Sequence, residues 1–133
     1  RRVMGDYVIT AEELAAGKRF DDVIVHKAEF IVDIHNPAGA GQAESKIQYV
    51  KPYDLPYRCF VPRHIENLYV AGRCISGTHR AHASYRVMSI CMAMGEAVGI
   101  AASLCAKKKC TPRTLDVHEL QNCMTSKGID LFS

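Results

Sequence analysis

Residues able to do chemistry concentrate in one run, Gly72-Arg73-Cys74-Ile75-Ser76-Gly77-Thr78-His79-Arg80-Ala81-His82-Ala83-Ser84-Tyr85-Arg86-Val87-Met88. A helix is expected to begin near Ser84. Its N-terminus would present unpaired amides and roughly half a positive charge, which suits an anion or an electron-rich carbonyl. Amides near Arg86, Val87 and Met88, together with the Arg86 guanidinium, form such a donor set. The plainer alternative is that Ser84 caps the helix and Arg86 pairs with a surface carboxylate. His79 and His82 stand at H-x-x-H spacing with Cys74 nearby. They admit three readings: zinc ligands, ordinary core or surface histidines, or polar groups on the substrate side of a pocket. No fourth zinc ligand is evident locally, so the predicted site includes no metal.

Two further candidates lie upstream. His35, in Asp33-Ile34-His35-Asn36, ends an expected strand and is placed either as a proton donor in a pocket or as a loop histidine bonded to backbone. Arg58, beside Tyr57, and the Arg1-Arg2 pair are placed either as clamps for a carboxylate substrate or as partners of Asp6, Asp21, Asp22 or Asp33. No Ser-His-Asp or Cys-His constellation has positional support.

The elements that must position these residues fall into two halves. Tyr7-Val8-Ile9 reads as a short strand, and Thr10-Ala11-Glu12-Glu13 has the form of a capping box, so a short helix should follow and stop at Gly17. Phe30 to Ile34, Ile47 to Val50 and Tyr57 to Val61 read as strands, bounded by the turn-rich Asn36 to Gly41 and by Pro52, Pro56 and Pro62. Asn67 to Gly72 reads as a buried strand feeding a ligand-binding turn. A long helix is expected from about Ser84 to Ala106, with Val87, Met88, Cys91, Met94, Val98 and Cys105 near helical period and a small stripe around Gly95 and Gly99. Each internal glycine costs roughly 1 kcal/mol against alanine, which implies a close neighbour there. Val117 to Lys127 reads as a terminal helix stopped by Gly128. The fold class is therefore α+β: a small antiparallel sheet plus a long C-terminal helix.

Composition narrows the function classes. A 133-residue chain that is 48% hydrophobic can bury a real core, and a net charge of +3 with one dense cluster, Lys107-Lys108-Lys109, gives no basis for nucleic-acid binding. Val87 to Ala106 is long enough for a bilayer but carries Glu96, many small residues and no aromatic belt, so a buried soluble helix is expected and no membrane partner. The six cysteines form no C-x-x-C pair and read as reduced thiols, a lean towards a cytoplasmic setting. Starting at Arg1 with neither methionine nor a signal-type leader, the chain reads as a piece of a longer protein.

The segments 67 to 76 and 81 to 102, led by Asn-Leu-Tyr-Val-Ala-Gly-Arg-Cys-Ile-Ser, Arg86-Val87-Met88 and Cys91-Met92-Ala93-Met94-Gly95-Glu96-Ala97-Val98-Gly99, resemble the C-terminal FAD signature of a bacterial family of FAD-dependent oxidoreductases. The likeness extends to Tyr53 to Cys59, Asp33 to Pro37 and Arg1 to Tyr7. It implies an FAD domain split in sequence around an inserted substrate domain: residues 1–66 would belong to the substrate domain and 67–133 to the final strand and helices of the FAD domain. It also implies Ala71, Gly72 and Arg73 on the ribityl side of the cofactor, and Ser84, Arg86, Val87 and Met88 at the pyrimidine edge of its ring. His35, His79 and Arg58 would act on a small-molecule substrate. A full member opens with G-x-G-x-x-G, and here Gly39-Ala40-Gly41 is followed by Glu44 at the third glycine's place, so the FAD site is expected to be incomplete without a missing N-terminal half. The competing expectations are a non-enzymatic domain that self-associates through the apolar helix face, and a zinc-stabilised structural module.

Overall fold

The computed structural model describes residues 3–36, 38–40 and 48–133. Arg1, Arg2, Pro37, Gly41, Glu44 and Ile47 of the expectations above lie outside the described residues. Among the described residues the architecture is α+β, with a two-stranded antiparallel sheet and four helices: α1 (Ala11–Ala16), β1 (Val23–Ala28), β2 (Tyr53–Pro56), α2 (His79–Tyr85), α3 (Met88–Lys108) and α4 (Val117–Ser126). Short 3-10 turns occupy Tyr57–Cys59 and Gly72–Cys74.

The capping box forms as its spacing requires. Thr10 Oγ1 accepts from the Glu13 amide at 3.3 Å, while Glu13 Oε2 accepts from the Thr10 amide at 3.0 Å. Gly17 ends α1 in the left-handed region at φ 66°, a conformation that costs glycine nothing.

β1 has no counterpart among the expected strands. Val23, Ile24 and Val25 are all buried, so the run lacks the alternation that marks a half-exposed strand. It pairs with β2 through Val23 and Pro56, Val25 and Leu55, and Ala28 and Tyr53, with irregular register and Lys27 at φ 50°. The other expected strands shrink to single bridges. Ile9 pairs with Gly77, and Val32 with Gln48. The ladder expected over Tyr57 to Val61 lies instead just upstream, in β2, and the chain then turns. Tyr69 to Ala71 is half-buried rather than buried, and its backbone is tied by Val70, which donates to the Phe60 carbonyl at 3.0 Å. A buried strand needs a neighbour on each edge, and among the described residues no second one stands beside this segment.

The long helix divides in two. Arg86 closes α2, with its amide donating to the His82 carbonyl at 3.2 Å, and Val87 is extended at ψ 153° before α3 begins. Burial explains the division. Tyr85 and Ile90 are both buried, yet five residues along a continuous helix leaves them about 140° apart. On an unbroken helix Tyr85 would align with Met88, Ser89 and Met92, all of which are exposed. The extended link resets the phase.

α3 buries Ile90, Met94, Ala97, Ala101 and Cys105 as one stripe and leaves Met88, Met92, Gly95, Gly99, Ala102 and Ala106 bare on the opposite side. It is thus covered on one face, rather than buried throughout. By length and composition α3 is also long and apolar enough to cross a membrane. The buried stripe joins Ile9, Leu14, Ile24, Leu55, Phe60, Leu120, Met124 and Leu131 in one core that draws on both halves of the chain. Gln121 ties α4 to that core by donating to the Asp21 and Val23 carbonyls at 2.7 and 3.0 Å.

Candidate functional site

Two concave features flank Arg86. On one side a pocket of about 250 Å³ is lined by Asp33, His35, His79, His82 and Arg86. Arg86 Nη2 donates to the Asp33 main-chain carbonyl at 3.1 Å and to its carboxylate at 3.2 Å, and His35 Nε2 lies 3.2 Å from the same carboxylate oxygen. Periodicity assembles the two walls. Asp33 and His35 are two apart in extended chain and share a face, while His79, His82 and Arg86 at i, i+3 and i+7 share one side of α2. The His82 ring also meets Tyr85 edge-on at 5.6 Å.

Ser84 anchors this wall from behind. It is fully buried, donates from Oγ to the Phe30 carbonyl, and shares a 2.9 Å hydrogen bond with the Tyr53 hydroxyl. Burial pushes the Tyr53 hydroxyl up to about 12, so it stays protonated at neutral pH.

On the other side a cleft of about 560 Å³ is lined by Gly72, Arg73, Met88, Cys91 and Met92. Here α3 starts without a side-chain cap from Val87, so the first-turn amides of Met88, Ser89 and Ile90 have no intrahelical partner. Gly72 sits at φ 69°, and a Cβ there would meet nothing closer than Cys91 Sγ at 3.8 Å. The backbone is therefore open to a ligand at the point where Arg73 Nε donates to the Arg86 carbonyl at 3.3 Å. Donors at the rim and exposed methionines along the floor suit a flat, mostly apolar ring with a polar edge.

Residues 1–124 match the family model described as FAD dependent oxidoreductase. The chain belongs to that family. No curated protein and no solved structure matches it.

Within this FAD dependent oxidoreductase family member, His35, His79 and Arg86 come together in one pocket, and Gly72, Arg73 and Met88 in the adjoining cleft. Ala71 and Val87 flank the cleft residues in sequence and are half-buried. Arg58 stands elsewhere: it grips Asp22 through Nε at 2.8 Å and Nη2 at 3.1 Å and stacks over the Tyr7 ring. That is the carboxylate pairing weighed as its alternative. Cys74 does not join the histidines, since its thiol donates to the Ala71 carbonyl at 3.1 Å, and the described residues hold no group of three or more potential metal ligands.

The role of Asp33 as the link between His35 and Arg86 was not expected from the sequence, where it stood only as a general ion-pair partner. Its i, i+2 relation to His35 is the signal that places it.

Proposed function

We propose that this chain supplies one wall of the FAD site and part of the substrate pocket of an oxidoreductase, with residues 67–133 returning to the FAD domain and 1–66 serving the substrate side. The observation that carries the proposal is the uncapped start of α3 opposite Gly72 and Arg73. Ala71, Gly72 and Arg73 line the ribityl side, and Val87, Met88 and the first-turn amides of α3 face the polar edge of the ring. Ser84 and Arg86 position that turn from behind, one through Phe30 and the other through Asp33. Bound there, FAD supplies the two-electron acceptor for a hydride from substrate. His35 or His79, across the Arg86 wall, holds the proton exchanged with the substrate.

The remaining walls come from a segment outside these 133 residues, an N-terminal half carrying the pyrophosphate turn. Two features support that reading. Among the described residues Tyr69 to Ala71 makes one backbone–backbone hydrogen bond, from Val70 to Phe60, and the bare face of α3 is smooth enough for close packing.

The test is Arg73→Ala in the flavin-loaded protein. Faster flavin loss and a lower reduction potential are expected, and no change in either rejects the placement. The 133-residue chain should release flavin during gel filtration; a chain that purifies yellow overturns the one-wall claim. Sedimentation decides the occupant of the bare face, since a stable dimer of the chain alone would show that a second copy covers it.

A further inference from the structure

The C-terminus of α3 builds a thiol pair that the flavin reading does not use. Lys109 takes the left-handed conformation at φ 54° and caps the helix, and both its amide and that of Cys110 donate to the Cys105 carbonyl, the latter at 3.1 Å. The αL cap and the 6→1 bond from Cys110 turn the residue after the cap back onto the last helical turn. Cys105 and Cys110 are the two residues it brings together, with the Cys110 amide held on the Cys105 carbonyl. Both line a cavity of about 540 Å³ with Asn67, Tyr69 and Lys109. Cys105 is buried and Cys110 half-buried. The Tyr69 hydroxyl sits 3.3 Å from Cys105 Sγ and bonds the Tyr57 hydroxyl, which in turn donates to the Pro112 carbonyl at 2.6 Å and holds the loop after Cys110 in place.

We propose that Cys105 and Cys110 form an oxidation site for hydroperoxides, closing a disulfide across the α3 cap. Cys110, the more accessible sulfur, attacks the peroxide as thiolate: an S–O bond forms, the O–O bond breaks, and hydroxide leaves with the thiol proton as water. Cys105 Sγ then attacks the Cys110 sulfur. The S–S bond forms, the S–O bond breaks, and the second hydroxide leaves with the Cys105 proton as water. Two thiols lose two electrons and two protons, and one hydrogen peroxide becomes two waters.

Burial raises the Cys105 thiol against the opposing pull of Tyr69, so Cys105 keeps its proton until the second step. It is therefore the resolving partner.

The sequence makes the test direct, because Lys107, Lys108 and Lys109 lie between the two cysteines. The chain is treated with equimolar hydrogen peroxide, free thiols are blocked, and the unreduced protein is digested with trypsin. The peptide 110–113 should emerge joined to 87–107, and should separate on reduction. This linkage should exceed any other cysteine pair by on the order of tenfold, since the cap holds the second thiol at high effective concentration. Cys91→Ser should keep the link and Cys110→Ser should abolish it. Cys110 advancing to sulfinic acid without linkage, or pairing preferentially with Cys91, Cys74 or Cys123, would overturn the proposal.

Discussion

Arg86 and Asp33 are joined twice through a single nitrogen, Nη2, which reaches both the main-chain carbonyl and the carboxylate of Asp33. The guanidinium thereby fastens the 30–36 segment to the end of α2 and sets one wall of the histidine pocket. A role in contacting flavin directly would require it to leave this partner.

Arg86→Ala should cost about 1 kcal/mol, the worth of a charge-assisted hydrogen bond reduced for partial exposure. The denaturant midpoint reads that loss. Amide exchange at Val32, whose N–H bonds the Gln48 carbonyl, should accelerate as well. Unchanged protection at Val32 would show that the segment is held by other contacts.

Separate His35→Gln and His79→Gln substitutions in the flavin-loaded protein should behave unequally. The histidine that carries the proton should lower kcat by roughly 10² to 10⁴ and remove one limb of the pH profile. The other should act mainly on KM. Retention of the full profile in both variants places the proton elsewhere.

Glycine-to-alanine changes should have opposite signs in two parts of the chain. A Cβ at Gly77 would lie 2.9 Å from Tyr85 Cε1 and 3.1 Å from Ile9 Cγ2, so Gly77→Ala should destabilise by about 1 to 3 kcal/mol through overpacking. Gly95 and Gly99 meet nothing within 4 Å. Alanine at either should stabilise the isolated chain by about 0.5 to 1 kcal/mol. Thermal unfolding of the single variants checks both signs.

Stability should fall in alkali. Burial pushes the Cys59 thiol from 9.0 up to about 12 and the Tyr53 hydroxyl from 10.0 up to about 12. Both groups are neutral in the fold and ionise earlier in the unfolded chain, so stability is full below pH 9 and is lost between roughly pH 9 and 12. Each group contributes on the order of 3 kcal/mol to that loss. Denaturant titrations at pH 8 and 11 measure it, and Tyr53→Phe should flatten the upper part of the decline.

How much of this was legible follows from where the signals are local. The α1 cap and the α4 boundaries depend on residues within one turn of each other, and both formed where the sequence places them. The histidine pocket needed two periodicities, one for Asp33 and His35 and another for His79, His82 and Arg86, and each is visible alone. Their meeting depends on Ser84 and Arg86 reaching back more than fifty positions, which no spacing rule contains. β1 was hidden because a strand buried on both faces shows no alternation. The break at Val87 was hidden because helical period holds on each side of it, and only the burial of Tyr85 against Ile90 reveals the change of phase.

That break has a consequence for the proposed ligand. At Val87 the carbonyl end of one helix abuts the amide end of the next; the Arg86 carbonyl takes Arg73 Nε and the Tyr85 carbonyl takes Cys91 Sγ, while the first amides of α3 stay open. In the proposed flavin site this leaves amide donors for the ring edge beside a carbonyl end that the chain itself already satisfies. On that proposal, the short extended link between the two helices is what frees the donors that a ring edge would meet.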